Sequence, residues 1–446
     1  MQYFFGPERR KEYTIAMLLS IVCVGFLLRF NYNSVTLLDN PIRGDAAYYF
    51  VYAQNLLEHS TFSKDRVNNP PIPDSFWSPG FPMFLAGVLA IADKLESNIY
   101  QTLLNFQLGL ALCTIVLTFV LASMAMNRCY ALVTAALVAL SPHLVSMGAY
   151  ALTETLACTL LLLALTLLAK GTHSKKAATL TSSGICFGLL FLVNPVTIFT
   201  APLALGVLVL HTRNDDAQSV SWPTCRKVVL VILPMMILAG SWTLRSQINV
   251  PEGQPSSSSR LMMNLTAGLH SDYHARWRAN PRDPNNPATL DARRIKGSYA
   301  EFGSVFWERL REDPTELTSW YVFGKPRLLW DWNIRIGQGD IYVYPVLYSL
   351  YHVSKPAIAS YTLTKSIHPW LLGCALLSGL FIWRNRKSEN GVIAAVYLST
   401  VYISAIYVVT QAEPRYSIPL RPEMYMCAMY FVFRLQQLIS KSRRPH

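Results

Sequence analysis

Few residues in this chain are of a type and spacing that could do chemistry. Asp45 opens the stretch DAAYYFVYAQNLLEH, where Tyr48, Tyr49 and Tyr52 follow at helical spacing, so a carboxylate and three phenols share one face. An aspartate so placed can cap a helix and favour its dipole. Beside aromatic rings it also suits a sugar site. Glu154 lies near one end of the apolar run YALTETLACTLLLLALTLLAK. A charge at the bilayer centre costs about 2.5–3.5 kcal/mol on insertion scales, so such an acid either reaches water or has a partner or a role. His143, next to Pro142, reads as structural.

The candidate cations lie at the ends of apolar runs. Arg415 and Tyr416 sit in QAEPRYSIPLRPE, with Glu413 beside them and Arg421 further on. Arg245 ends ILPMMILAGSWTLR, and Lys325 and Arg327 fall in an aromatic stretch. Each can serve as an interfacial anchor. Together they suit the phosphate of a lipid, which guanidinium and ammonium groups bind by charge-assisted hydrogen bonds. Signatures of soluble enzymes are missing: there is no glycine-rich phosphate loop, G-x-S-x-G, H-E-x-x-H or C-x-x-C. Six of the eight cysteines sit in apolar runs and two, Cys129 and Cys225, in short basic loops. They read as small apolar residues, with no disulfide and no metal site expected.

The elements that must position these groups are membrane helices. Of 446 residues 52% are hydrophobic and only 15% charged, against about 25% charged in a soluble domain. Mean hydropathy is +0.27. A soluble enzyme, a disordered chain and a disulfide scaffold are poor fits. Ten segments have about the length a bilayer requires: 13–31, 101–126, 130–148, 149–169, 177–194, 196–212, 228–244, 366–384, 391–410 and 418–436.

The net charge of +13 is placed by these spans. Arg9, Arg10 and Lys11 precede the first. Alternate loops then carry Arg128; Lys170, Lys175 and Lys176; Arg213, Arg226 and Lys227; Arg384, Arg386 and Lys387; and Lys441, Arg443 and Arg444. Short basic loops are cytoplasmic, so both termini are expected inside. The charge marks orientation rather than nucleic-acid binding. Residues 79–93 are apolar but short and start with prolines; counting them as an eleventh span would put every later basic loop outside, so a re-entrant or juxtamembrane helix is expected. The fold class is an all-α polytopic bundle of about ten spans.

Two long outer loops remain, 32–100 and 245–365. The first holds an amphipathic helix at about 46–59. The second turns aromatic at 320–351, where Trp320, Tyr321, Trp330, Trp332, Tyr342, Tyr344, Tyr348 and Tyr351 suit the lipid–water interface. The expected organisation is an N-terminal membrane module over 1–244, a loop over 245–365 that shapes the donor and acceptor site, and C-terminal membrane helices over 366–446.

The order and spacing of GDAAYYFVYAQNLLEHSTF, SPGFPMFLAGVLA, ALSPHLVSMGAYALTETLA, GLLFLVNPV, GSWTLRSQIN and EPRYSIPLRPE resemble the type C (GT-C) membrane glycosyltransferases. The nearest groups are the protein O-mannosyltransferase-like and lipid A aminoarabinose-transferase-like families. The resemblance implies a polyprenyl-phosphate sugar donor and a glycan, lipid or protein acceptor at the membrane. Asp45 then matches the acidic residue that serves as catalytic base or site organiser, Glu154 a second acidic position, and Arg415 with Tyr416 a lipid-phosphate-binding pair. The chain departs from the family at Asp45-Ala46, where two acids are frequent, and at Trp77-Ser78-Pro79-Gly80, where a basic or histidine residue often precedes two prolines.

The expected function is sugar transfer with inversion on the extracytoplasmic face of a bacterial inner membrane, for a cell-envelope glycan or glycolipid such as lipopolysaccharide. No cofactor is expected, and no residue pattern supports a divalent metal. Tyr48, Tyr49 and Tyr52 would face the substrate, and Arg245, Lys325 and Arg327 would join Arg415 at the phosphate. The alternative is a lipid or solute transporter without sugar transfer, although paired internal repeats are not seen and the titratable residues cluster at one face.

Overall fold

The computed structural model describes residues 7–174, 176–211, 222–280, 283–384 and 391–442. Of the basic residues that set the topology, Lys175, Arg213, Arg386, Lys387, Arg443 and Arg444 lie outside the described residues, as do the side chains of Arg9 and Arg10.

In chain order, the long apolar helix α1 (Pro7–Val35) leads through a two-residue strand β1 (Leu37–Leu38) to α2 (Asp45–His59) and α3 (Gly80–Lys94). Next come α4 (Ile99–Ala125), α5 (Arg128–Leu140), the single turn α6 (Pro142–Met147), α7 (Glu154–Ser174), α8 (Ala177–Val193), α9 (Thr200–His211) and α10 (Trp222–Asn249). The second long loop folds into α11 (Ser257–Gly268), α12 (Tyr273–Ala279), α13 (Pro287–Ile295), α14 (Tyr299–Glu312), α15 (Pro314–Ser319) and α16 (Lys325–Leu329). A strand β2 (Val346–Tyr348) pairs antiparallel with β1 and closes that loop. The chain ends with α17 (Leu350–Val353), α18 (Lys355–Arg384), α19 (Gly391–Val409), the turn α20 (Pro414–Ser417) and α21 (Arg421–Ser442).

The protein is an all-α, multi-pass membrane bundle. Among the described residues six helices (α1, α4, α7, α10, α18 and α19) are long and apolar enough to cross a bilayer, and α5, α8 and α9 are shorter apolar helices. Each of the ten expected segments is helical over most of its length. The helix α7 is the most enclosed of the six and packs along α4 and α8, while α10 lies along α8 and α18 along α21. The outward faces of α10 and α18 remain apolar, with Ile237, Leu380 and Trp383 exposed, as surfaces meeting lipid tails must be.

One expected span is interrupted. In 130–148 the helix stops at Leu140, and Ser141-Pro142 begins a separate turn. Proline has no N–H to continue the ladder, so carbonyls at the end of α5 need other donors. Arg29, buried on α1, supplies them: Nη1 donates to Ala139 O at 2.8 Å and Nη2 to Val138 O at 3.1 Å. A similar irregularity delays the next helix, which begins at Glu154 rather than at 149.

Residues 79–93 form α3, a 15-residue helix packed against α2, α4 and α8. The aromatic stretch at 320–351 differs from its interfacial expectation. Trp332, Tyr342, Tyr344 and Tyr351 are buried, and only Tyr348 of the eight rings is largely exposed. Trp332, Tyr342 and Tyr351 join Tyr32, Leu104 and Val145 in a second apolar core that ties the loop to α1, α4 and α6. Phenol and indole rings suit this place because their polar tips find partners there: Tyr342 Oη bonds Ser349 Oγ at 2.7 Å and Trp332 Nε1 donates to Asp340 at 2.8 Å. A third small core, Met262, Leu269, Ile295 and Val305, holds α11, α13 and α14 together.

Candidate active site

Three segments remote in sequence meet at one point. Asp45 is the first residue of α2, Glu154 the first of α7, and Arg415 lies in α20. Arg415 Nη2 donates to Asp45 Oδ2 at 2.9 Å, and Arg415 Nε donates to Glu154 Oε1. Both acids therefore stand at helix N-termini, where the dipole favours a negative charge. Asp45 is not a capping residue. Gly44 occupies the cap with φ +54°, a backbone conformation that favours glycine, and no side chain bonds the helix start. That leaves the Asp45 carboxylate free to turn toward Arg415.

Burial differs across the triad. The Glu154 and Arg415 side chains are 5% and 8% exposed, and Asp45 is 33% exposed. Only Asp45 is open to an incoming ligand. Burial works against the charge on Arg415, but Glu154 and then Asp45 outweigh it and hold its pKa well above the usual value. With one guanidinium between two carboxylates, the cluster carries a net charge of −1 when all three are ionised. Among the described residues no group of three His, Cys, Asp or Glu comes together to hold a metal.

The aromatic residues divide. Tyr416 stacks on Tyr407 with ring centroids 4.9 Å apart, beside Arg415. Tyr344, from the second long loop, places its hydroxyl 3.4 Å from the Ala46 amide, and burial followed by the Asp45 charge raises its pKa. Of the three tyrosines on α2, Tyr48 is exposed and faces Trp77 at 6.3 Å. Tyr49 is buried edge-on against Trp77 and Phe81, at 5.1 and 5.0 Å. Tyr52 is fully buried, stacks on Phe62 at 4.2 Å and donates its hydroxyl to Asp74.

Two of the other expected cations are engaged with backbone carbonyls. Arg245 donates to two backbone carbonyls of the first long loop, Asp74 O at 2.8 Å and Phe62 O at 3.1 Å. Lys325 is fully buried, donates to Thr410 O at 3.0 Å and lies 3.7 Å over the Tyr321 ring; burial lowers its pKa to about 7. Arg327 is exposed on the same short helix. Arg245 and Lys325 thereby tie loop backbone to the bundle. His143 is structural in its contacts, buried with Nε2 at 2.8 Å from Trp332 O. Glu413 is also fully buried, accepting the Arg335 and Ile336 amides at 2.9 and 3.2 Å, and this fixes the irregular segment that leads into Arg415.

Two residues beside the site carry no signal in the sequence that separates them from their surroundings. Arg260 lies in α11 directly after the serine run and places its guanidinium 3.8 Å from the Trp77 ring. Tyr344 is one ring among many in an aromatic stretch.

The dolichyl-phosphate-mannose-protein mannosyltransferase family matches residues 83–248 by its sequence model. No curated protein sequence matches the chain. Among solved structures, the oligosaccharyltransferase AglB of Archaeoglobus fulgidus, in complex with an inhibitory peptide and a dolichol-phosphate, is 13% identical with a TM-score of 0.53 over 98% of this chain and 52% of that one. The apo form of the Archaeoglobus fulgidus oligosaccharyltransferase is 12% identical, with a TM-score of 0.51 over 98% and 53%. ArnT from Cupriavidus metallidurans in its apo state is 12% identical, with a TM-score of 0.49 over 97% and 63%. The chain thus spans about half the length of the archaeal proteins it matches. Over nearly its whole length this chain shares the fold of these polytopic membrane proteins, and over residues 83–248 it is similar to the mannosyltransferase family, in keeping with the resemblance read from its motifs.

Proposed function

We propose that the protein is a membrane glycosyltransferase that moves a sugar from a polyprenyl-phosphate donor to a membrane-associated acceptor on the extracytoplasmic face. The observation that carries this reading is the Asp45 carboxylate, part-exposed and held at 2.9 Å by an arginine that is itself pinned to Glu154. A base must point in one direction, and this clamp fixes that direction. Matching of residues 83–248 to a family of dolichyl-phosphate-mannose-dependent transferases supports the class of donor.

In this mechanism the oxygen of an acceptor hydroxyl attacks the anomeric carbon as the bond from that carbon to the phosphate oxygen breaks. The hydroxyl proton passes to Asp45, and the bond pair leaves with the lipid phosphate, which gains a second negative charge. A single base opposite the leaving group implies inversion, the geometry of inverting glycosidases. Arg415 orients Asp45, and Glu154 holds Arg415. Groups that meet the growing phosphate charge bind the transition state better than the donor.

The acceptor we infer is a cell-envelope glycan or glycolipid, with the protein in a bacterial inner membrane and both termini cytoplasmic. Residues 1–244 and 366–446 would form the membrane modules, and 245–365 would shape donor and acceptor recognition. Mass spectrometry of envelope glycans from cells with and without the protein tests this. A sugar present only when the protein is made is the expected result; identical glycan profiles, together with no transfer of labelled sugar from a polyprenyl-phosphate donor in membranes, would sink the reading.

A further inference from the structure

Glu413 stands directly before the turn that carries Arg415, and its surroundings are unusual for a carboxylate. Its side chain is 0% exposed. One oxygen, Oε1, accepts the Arg335 and Ile336 amides. The other, Oε2, is buried without a hydrogen bond and lies 2.9 Å from Nε2 of His274 on α12, whose side chain is 11% exposed. That nitrogen is likewise buried without a hydrogen bond. Charge, rather than a directed hydrogen bond, is therefore what joins the two atoms. A buried carboxylate is costly without a counter-charge. Among the described residues no lysine or arginine pairs with Glu413. The His274 imidazolium is the group placed to supply that charge.

The pair joins the second long loop to the catalytic turn. On the loop side, α12 is also tied to the 331–336 segment by Arg278, whose Nη2 donates to Arg335 O, while the Arg335 side chain pairs with Asp331. The other charges on and beside α12, Asp272 and Arg276, pair with each other. On the catalytic side, Glu413 caps α20, and its backbone carbonyl accepts the Tyr416 amide at 2.9 Å. Pro414 follows with its fixed φ, so little slack separates Glu413 from Arg415. A shift of Glu413 moves Arg415, and Arg415 holds Asp45.

Resting on the transferase reading, we propose that His274 is a positioning residue for the transfer: paired with Glu413, it fixes the turn from which Arg415 orients Asp45. The second long loop thereby sets the aim of the base from a place that need not touch the substrate. Misplacing a reacting group by about 1 Å costs on the order of 10²-fold in rate.

The test follows, by mass spectrometry, the rate at which the added sugar appears in envelope glycans after the full-length protein is induced in cells lacking it, at matched amounts in the membrane. His274→Gln is expected to slow that rate about 10- to 100-fold. His274→Lys, which returns a positive charge toward Glu413, should recover part of the loss. Glu413→Gln should be slowed like His274→Gln, and the double variant should be no slower than either, as two residues acting as one unit require. Should His274→Gln not accumulate in the membrane, the double variant, with no unpaired charge to bury, carries the same expectation against wild type. Added to Asp45→Asn, His274→Gln should leave the residual rate unchanged, because His274 acts through that base; a residue that only held the loop for binding would slow it further. A wild-type rate in His274→Gln, no recovery in His274→Lys, or a further loss on top of Asp45→Asn overturns the proposal and leaves the transferase reading intact. If the wild type adds no sugar in cells and transfers none in its membranes, the transferase reading fails and this inference with it.

Discussion

Asp45, Glu154 and Arg415 are each conspicuous in the sequence for the same reason: an ionisable side chain at the edge of an apolar run needs a partner or a task. What their types could not disclose is that they answer one another. Arg415 lies 370 residues from Asp45 and 261 from Glu154, and one guanidinium joins both. That pairing makes a prediction. Arg415→Gln leaves a buried Glu154 without its counter-charge, a change that typically costs about 3–5 kcal/mol. The protein should unfold at lower temperature in detergent, and adding Glu154→Gln should restore part of the loss. A melting temperature equal to wild type in the single variant would show that the triad does not hold these segments together. Arg260 escaped notice because a cation after a serine run looks like any polar loop residue; only the fold sets it over Trp77.

Among the elements, hydropathy located the helices well and their interruptions poorly. Neither the break at Ser141-Pro142 nor the late start of α7, which puts Glu154 at a helix N-terminus, follows the hydropathy. A window of apolar residues does not register either, because each depends on where freed backbone groups find donors. The short helix α3 is a testable case. A Cβ on Gly80 would come within 2.6 Å of the Val193 amide and 2.7 Å of the Leu192 carbonyl carbon, so Gly80→Ala should destabilise by about 1–3 kcal/mol through overpacking. Denaturation at wild-type temperature would mean that α3 does not lie tightly on α8. Lys325 on α16 gives a pH signature. Its folded pKa, lowered to about 7 by burial, is below its unfolded value, so the folded state resists protonation there. The penalty is absent above the unfolded lysine pKa, grows as pH falls, and is complete below about 7. Lys325→Met should therefore gain more thermal stability at pH 6 than at pH 9, relative to wild type; an equal shift at both would exclude the charge as the cause.

At the scale of the molecule, an unusually basic and apolar composition pointed to a membrane bundle, and the fold agrees. The aromatic stretch at 320–351 shows where composition misleads. Rings that suit an interface suit equally a core with polar tips, and only packing against Tyr32 and Val145 decides between them. The orientation has its own test. With Cys129 and Cys225 on the cytoplasmic side, a membrane-impermeant maleimide should leave both unlabelled in intact cells and label a cysteine introduced at the exposed Asn68. The reverse pattern would invert the topology and place the triad at the wrong face. The most direct test of the whole account is the rate of labelled-sugar transfer from a polyprenyl-phosphate donor by the purified protein in proteoliposomes, wild type against Asp45→Asn. The account predicts wild-type transfer that falls about 10²–10⁴-fold in the variant, with folding and donor-phosphate binding preserved. Transfer at the wild-type rate by Asp45→Asn would contradict it.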